Sequence, residues 1–194
     1  AKANRGRVIV STHTINLQEQ LIAKDLPELA GRAALEFSSV LVKGRGNYLC
    51  QRKASQVEQQ PALLLEDELS RELADVLAWA KKTTDGSLAD LAVRPHHHVW
   101  EQVMSESDNC LRARCPFYSK CFFYTARRQA AAADVLVVNH HLLLADLALR
   151  DETDNRTQNA VLPPATRVVI DEAHHLEDVA TAHFGFRLSL TALE

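Results

Sequence analysis

The chain has 194 residues, of which 46 % are hydrophobic and 24 % charged, and its formal net charge is −3. These values fit a soluble globular protein and exclude a polycation, so a nucleic-acid surface would have to come from local clustering of basic residues. The sequence has no run of eighteen apolar residues and no pattern of a signal peptide, so we expect no membrane span and a cytoplasmic location.

Four short apolar runs predict buried β-strands that alternate with helices. The first covers residues 7–12, and a helix follows from about Ile15 that Pro27 should interrupt or kink. The other three runs cover residues 37–44, 134–139 and 166–171. Strands interleaved with helices are typical of a parallel sheet, so the sequence predicts an α/β fold.

The middle of the chain contains no convincing strand and carries all four cysteines. Helical patterns cover residues 61–83, 96–103 and 125–133. We therefore expect three segments. Residues 1–47 form the first part of an α/β domain, 48–133 form a mainly helical insert, and 134–194 form the second part of the domain.

Two carboxylates, Asp171 and Glu172, come directly after the fourth predicted strand, in the string "VVIDEAHH". In a parallel sheet, the carboxyl ends of the strands face the ligand crevice. An aspartate there can hold Mg²⁺ on nucleotide phosphates, and the next glutamate can deprotonate an attacking water. His174 stands where it could sense the terminal phosphate. A bare Asp-Glu pair more often opens a helix, but an apolar run followed by D-E-A-H is far more specific.

The phosphate-binding loop that such a site needs, G-x-x-x-x-G-K-[ST], does not occur in the sequence. Because the first strand begins near residue 7, this loop would lie upstream of the chain. We therefore expect a fragment of a larger enzyme, and a fragment that does not hydrolyse ATP by itself.

The four cysteines are Cys50, Cys110, Cys115 and Cys121. In a reducing compartment, such thiols hold metal more often than they form disulfides. Their spacing lacks the C-x2-C pairs of zinc ribbons and the close run of ferredoxins. The chemistry alone leaves three alternatives open: a [4Fe–4S] cluster, a zinc ion, or unliganded structural thiols.

Several strings together resemble the iron–sulfur helicases related to XPD, and more closely the bacterial DinG and YoaA type. In the family's order they are "STHTINLQEQLIAKDLPEL", "KGRGNYLC", "NCLRARCPFYSKCFFYTARRQAAAADVLVVNHHLLLADL" and "VVIDEAHHLEDVA". The resemblance implies a RecA-like motor domain that is split by an iron–sulfur insert. It also implies that the D-E-A-H string is the Walker B motif of a DEAH-type helicase.

The resemblance assigns roles to individual residues of this chain. Asp171 would hold Mg²⁺, Glu172 would activate water, and His174 would couple ATP hydrolysis to movement. The four cysteines would ligate a [4Fe–4S] cluster with a structural role. The parent enzyme would move 5′ to 3′ on single-stranded or forked DNA in repair. The family's phosphate loop, arch domain and second motor domain are absent from the sequence.

Residues 110–128 contain five basic side chains, five aromatic rings and no acid. Cations that track phosphates beside rings that stack on bases are typical of single-strand channels. We expect Arg112, Arg114 and Lys120 to face DNA, whereas some of the rings would instead shield the metal site.

The string "STHT" resembles the family's motif Ia, which implies that Thr12 and Thr14 contact the DNA backbone. Thr14 also suits an ordinary helix N-cap.

Other features leave more than one interpretation open. The triplet at residues 96–98 makes a poor metal chelate, because successive side chains point in different directions. Asn139, His140 and His141 could couple the site to DNA or simply mark a strand exit. The alternative to a helicase is a metal-stabilised module that binds single-stranded nucleic acid without ATPase activity. Protein partners cannot be predicted.

Overall fold

The computed structural model describes residues 6–59, 68–155, 157–158 and 160–184. The chain divides into two compact units, one made of residues 1–43 and 129–194 and the other of residues 44–128. The sequence had placed the corresponding boundaries at residues 47/48 and 133/134.

A four-stranded parallel sheet forms the centre of the first unit. Its strands are β1 (Val8–Thr12), β2 (Ser39–Leu41), β3 (Val135–Asn139) and β4 (Arg167–Ile170), in the spatial order β2-β3-β1-β4. All three pairings are parallel, and Val8 lies opposite both Val135 and Arg167. The predicted α/β fold with a parallel sheet is confirmed.

The chain after β1 is helical through residue 32. It forms α1 (Ile15–Gln20), one π-helical turn (Leu21–Asp25) and α2 (Leu26–Arg32). The chain stays helical at Pro27, and the α-helical hydrogen-bond pattern is interrupted slightly upstream, by the π turn that ends at Asp25. Pro27 lies in the first turn of α2, where its missing N–H is tolerated, and the π turn before it already shifts the backbone hydrogen-bond pattern.

The core of the first unit forms around β3, whose residues 135–138 are all buried. Side chains from β1, β3 and the helix that follows β3, α7 (His140–Glu152), pack together there, among them Ile9, Leu136, Val138, Leu142 and Leu143. Burial on both faces explains why this strand reads as a continuous apolar run. The last helix of the unit is α8 (Leu176–Phe184).

The second unit is mainly helical, with α3 (Gln51–Glu58), α4 (Glu68–Ala80) and α5 (His97–Val103). Helix α6 (Phe122–Ala132) begins in this unit. The core of the unit includes Leu49, Leu73, Val99, Trp100 and Val103. The predicted helical residues 61–67 lie outside the described part of the chain. None of the described helices is long and apolar enough to span a membrane.

Candidate functional site

The carboxyl ends of β1, β3 and β4 meet at one edge of the sheet. The parallel register sets Thr12 opposite Asn139 and Ser11 opposite Ile170. Just beyond β4, the backbone N–H of Asp171 donates to the carbonyl oxygen of Ser11 at 2.8 Å. Sheet pairing therefore carries the first residue of the D-E-A-H string to the end of the strand that bears the "STHT" string.

Asp171 has an exposed carboxylate that is held at both of its oxygens. Oδ1 accepts from the backbone N–H of Glu172 at 3.1 Å, and Oδ2 accepts from Thr12 Oγ1 at a longer 3.4 Å. The carboxylate is thereby oriented yet open to solvent, as a ligand for a hard cation must be. The side chain of Thr12 is fully buried, so its hydroxyl is engaged with Asp171.

Glu172 has a left-handed backbone conformation, with φ of 50° and ψ of 47°. For a residue with a Cβ, this conformation costs roughly 1–2 kcal/mol. A short 3-10 turn (Ala173–His175) follows, and the N–H of His175 donates to the carbonyl oxygen of Glu172 at 3.0 Å. Strained backbone of this kind is common at functional sites, and here it turns the chain sharply between β4 and α8.

Histidine rings surround this turn. The rings of His13 and His175 are stacked with their centroids 4.0 Å apart. The ring centroids of His174 and His175 are also 4.0 Å apart. His140 is fully buried, and its Nδ1 lies 2.7 Å from Ser11 Oγ. Burial lowers the pKa of His140, and the nearby imidazole of His13 lowers it further. The sequence analysis assigned no role to His13 or His175, because their proximity depends on strand pairing.

All four cysteines line one cavity of the second unit, together with Arg112, Tyr118 and Tyr124. Each thiol is half-buried and free of disulfide bonds. The long gap between Cys50 and Cys110 is thus closed by the fold, which brings the predicted ligand set around one space.

Arg45 acts on the Cys110 thiol, and the sequence analysis did not single it out. Burial opposes ionisation of the Cys110 thiol, but the backbone N–H of Arg112, the Arg45 guanidinium and the Tyr124 hydroxyl outweigh it and hold its pKa below the usual range. The guanidinium of Arg45 lies 3.8 Å from the centroid of the Phe123 ring. A single arginine in "KGRGNYLC" gives no sign of these contacts.

The basic residues predicted to face DNA are exposed, whereas the aromatic rings beside them are buried or half-buried. Arg112, Arg114 and Lys120 are exposed in two short 3-10 turns (Arg112–Arg114 and Tyr118–Lys120). Thr14 is exposed and caps α1, accepting from the N–H of Leu17 at 3.3 Å. Of the five rings in this stretch, Phe123 is buried and the other four are half-buried, so the rings pack mainly inside the unit.

At the start of α5, ligand atoms of His97, His98 and Glu101 lie within 4.8 Å of one another. The Nδ1 atoms of the two histidines are 3.4 Å and 3.3 Å from the same carboxylate oxygen of Glu101. Both imidazoles are largely exposed, and the contacts are ordinary helical neighbours.

Comparison with known proteins adds independent information. The family model DEAD_2 matches residues 36–193. The ATP-dependent DNA helicase YoaA of Escherichia coli (strain K12) is 39 % identical over 189 residues, which cover 95 % of this chain and 28 % of the relative. The ATP-dependent helicase DinG of Mycobacterium tuberculosis (strain H37Rv) is 38 % identical over 192 residues, covering 90 % of this chain and 28 % of the relative.

A third relative carries a different name. The 3'-5' exonuclease DinG of Bacillus subtilis (strain 168) is 30 % identical over 194 residues, covering all of this chain and 20 % of the relative. The chain thus spans 28 % of the length of the YoaA relative and a similar or smaller share of the others. The matched region covers most of the chain and contains the four cysteines and the D-E-A-H string. The chain therefore belongs to the DEAD_2 family.

Proposed function

We propose that this chain is part of an ATP-dependent DNA helicase that moves 5′ to 3′ on single-stranded or forked DNA in repair. The observation that carries the proposal is the placement of Asp171 and Glu172 at the carboxyl end of β4, beside the end of β1. Ligands of parallel α/β sheets bind at this edge. The helicase names of the YoaA and M. tuberculosis DinG relatives support it.

The carboxylates have distinct roles in this proposal. The exposed Asp171 carboxylate holds Mg²⁺, whose charge would neutralise the phosphate oxygens of ATP. Glu172 accepts a proton from the attacking water, and its left-handed backbone begins the tight turn that follows β4. His174 is exposed on the same turn and links the state of the terminal phosphate to movement.

The four thiols hold a [4Fe–4S] cluster in this proposal, and the donor set fits such a group. Four half-buried cysteines line one cavity, and the lowered pKa of Cys110 favours the thiolate, which is the ligand form. The cluster's role would be to stabilise the second unit.

Exposed cations and hydroxyls supply the DNA contacts. The DNA phosphates are neutralised by Arg112, Arg114 and Lys120. Thr14 presents the N-terminus of α1 to the sugar-phosphate backbone of the DNA. Thr12 has no exposed surface and its hydroxyl orients Asp171, so a DNA contact of Thr12 would require this residue to become exposed. A cytoplasmic location follows from the proposed activity.

The decisive experiment changes Glu172 to Gln in a helicase that contains this segment together with a phosphate-binding loop. We expect ATP hydrolysis to be abolished and single-strand binding to be retained, because only the general base is lost. Glu177→Gln, an exposed glutamate in α8, is the matched control and should retain hydrolysis. Full hydrolysis in the Glu172→Gln protein would contradict the proposal and favour the binding module without ATPase activity.

A further inference from the structure

His140 is buried between the end of β1, where the "STHT" string begins, and the turn at Asp171 and Glu172. It follows β3 directly, and its side chain has no exposed surface. The Nδ1 atom is anchored by the hydroxyl of Ser11 at 2.7 Å, and Ser11 is itself fully buried in β1. This bond fixes the orientation of the ring relative to the strand that leads into the "STHT" string.

The other ring nitrogen of His140 is not satisfied. Nε2 is buried and makes no hydrogen bond of regular geometry to any described residue. The backbone carbonyl groups of Asp171 and Glu172 lie beside the ring and are the nearest acceptors, although neither forms a well-aligned hydrogen bond with Nε2. A buried ring nitrogen without a partner is unfavourable, so a small movement that brought an acceptor to Nε2 would stabilise the structure.

The turn beside Nε2 of His140 is also the one that contains the strained backbone of Glu172. Glu172 has a positive φ of 50°, which a residue with a Cβ adopts at a cost in free energy. His13, in the loop after β1, stacks on His175 at the far side of the same turn, with centroids 4.0 Å apart. Two contacts, one through Ser11 and His140 and one through His13 and His175, therefore connect the β1 end to the Asp171–Glu172 turn.

We propose that His140 is a positioning residue that couples DNA contact at the end of β1 to the geometry of the Asp171–Glu172 turn. The inference rests on the proposed helicase function. When DNA displaces the β1 end, the Ser11 hydroxyl carries the ring with it, and Nε2 gains or loses an acceptor on the turn. The turn then has two arrangements, and DNA changes their populations and so the position of the Glu172 carboxylate.

The test uses a helicase that contains this segment together with a phosphate-binding loop. The measured quantity is the ratio of the ATP hydrolysis rate with saturating single-stranded DNA to the rate without DNA. We expect Ser11→Ala and His140→Asn each to lower this ratio by at least about fivefold, the lower end of typical coupling between sites. The double variant should fall no further than either single variant, because both changes break one connection.

His141→Asn is the matched control. His141 is the adjacent histidine of α7, is exposed, and should leave the ratio unchanged. Circular-dichroism melting of each variant confirms that the fold is retained. An unchanged ratio in folded Ser11→Ala and His140→Asn proteins, or strictly additive effects, would overturn the inference. Absence of any DNA-stimulated hydrolysis in the unmodified protein would instead contradict the proposed function.

A measurement without substitution protects the test against unfolded variants. The ¹⁵N chemical shifts of the His140 ring can be followed in the 194-residue chain as single-stranded DNA is added. The inference predicts a change at Nε2, since its acceptor changes, and no comparable change for the ring of His141. A His140 spectrum that stays constant at saturating DNA would refute the coupling.

Discussion

Arg45 contacts three groups that matter to the thiol cavity. Its guanidinium lies 3.8 Å from the centroid of the Phe123 ring and 5.7 Å from that of Tyr124, and Nη1 donates to the carbonyl oxygen of Glu106 at 3.4 Å. It also lowers the pKa of Cys110. A cation held beside a thiol stabilises the thiolate, so Arg45 favours the form of Cys110 that binds metal.

Replacing Arg45 with Gln should therefore raise the pKa of Cys110. In metal-free protein, the midpoint of the pH profile for alkylation of Cys110 would move to higher pH, because less thiolate is present at a given pH. Peptide mapping by mass spectrometry separates Cys110 from the other three thiols. Arg52→Gln is the control, since Arg52 lines the same cavity but bonds to Gln56 and Asn109 instead. An equal shift in both variants would show that the effect is not specific to Arg45.

At the residue scale, local patterns singled out the candidate residues of the site, whereas the contacts between them depend on the fold. Asp171 and Glu172 were predicted from an apolar run followed by two acids, which is a local signal. The contact between Thr12 and Asp171 joins residues that are 159 positions apart, and it exists only because β1 pairs with β4. Arg45 was missed for the same reason, since Cys110 and Phe123 are distant in sequence.

At the element scale, a buried ion pair fixes α7 to the segment that leads into β4. Asp146 is 3 % exposed, and its carboxylate accepts from Arg150 Nε at 2.7 Å and from the backbone N–H of Leu162 at 2.6 Å. Arg150 also donates to backbone carbonyls of the following loop, those of Asn155, Gln158 and Leu162. The polar loop is thus held by side chains rather than by regular secondary structure.

Arg150→Met should destabilise the first unit by roughly 3–5 kcal/mol, because it leaves the Asp146 carboxylate buried without its partner. Urea unfolding measures the change in the free energy of unfolding. The matched control is Arg32→Met, which removes an exposed pair with Glu28 and should change the stability by less than about 1 kcal/mol. Similar losses in both variants would show that the buried pair has no special importance.

The elements themselves were predicted with uneven success, and the reason differs from case to case. The apolar run at residues 134–139 predicted the bounds of β3 (Val135–Asn139) to within one residue, because a fully buried strand has a continuous apolar pattern. The run at residues 37–44 gave only Ser39–Leu41, since pairing with β3 sets the length of β2. Pro27 marked the approximate place of an irregularity in the helix, but the π turn itself cannot be recognised from propensities.

At the scale of the whole molecule, the proposed cluster should determine the stability of one unit and not of the other. The four thiols all belong to residues 44–128, whereas the sheet belongs to the remaining residues. Metal binding by a ligand set of this kind is coupled to folding. Loss of one ligand should therefore weaken the second unit selectively.

The corresponding prediction concerns Cys115→Ser in anaerobically purified chain. The unmodified chain should contain about four irons with broad visible absorption, and the variant should lose iron. Hydrogen exchange should increase within residues 44–128 and stay unchanged in the sheet, with Ser119→Ala as an exposed control in the same stretch. One zinc per colourless chain, or unchanged iron content and exchange in the variant, would contradict the cluster.

The order of the strands also governs how the chain is built during synthesis. Of the four described strands, β1 is made first, yet its partners β3 and β4 come after the whole of residues 44–128. Closing so long a loop is slow, although its entropic cost grows only with the logarithm of loop length. On the ribosome, the cysteine-bearing unit can therefore mature while β1 still waits unpaired. This order would let the proposed cluster form in the thiol cavity before β3 and β4 complete the carboxyl edge of the sheet.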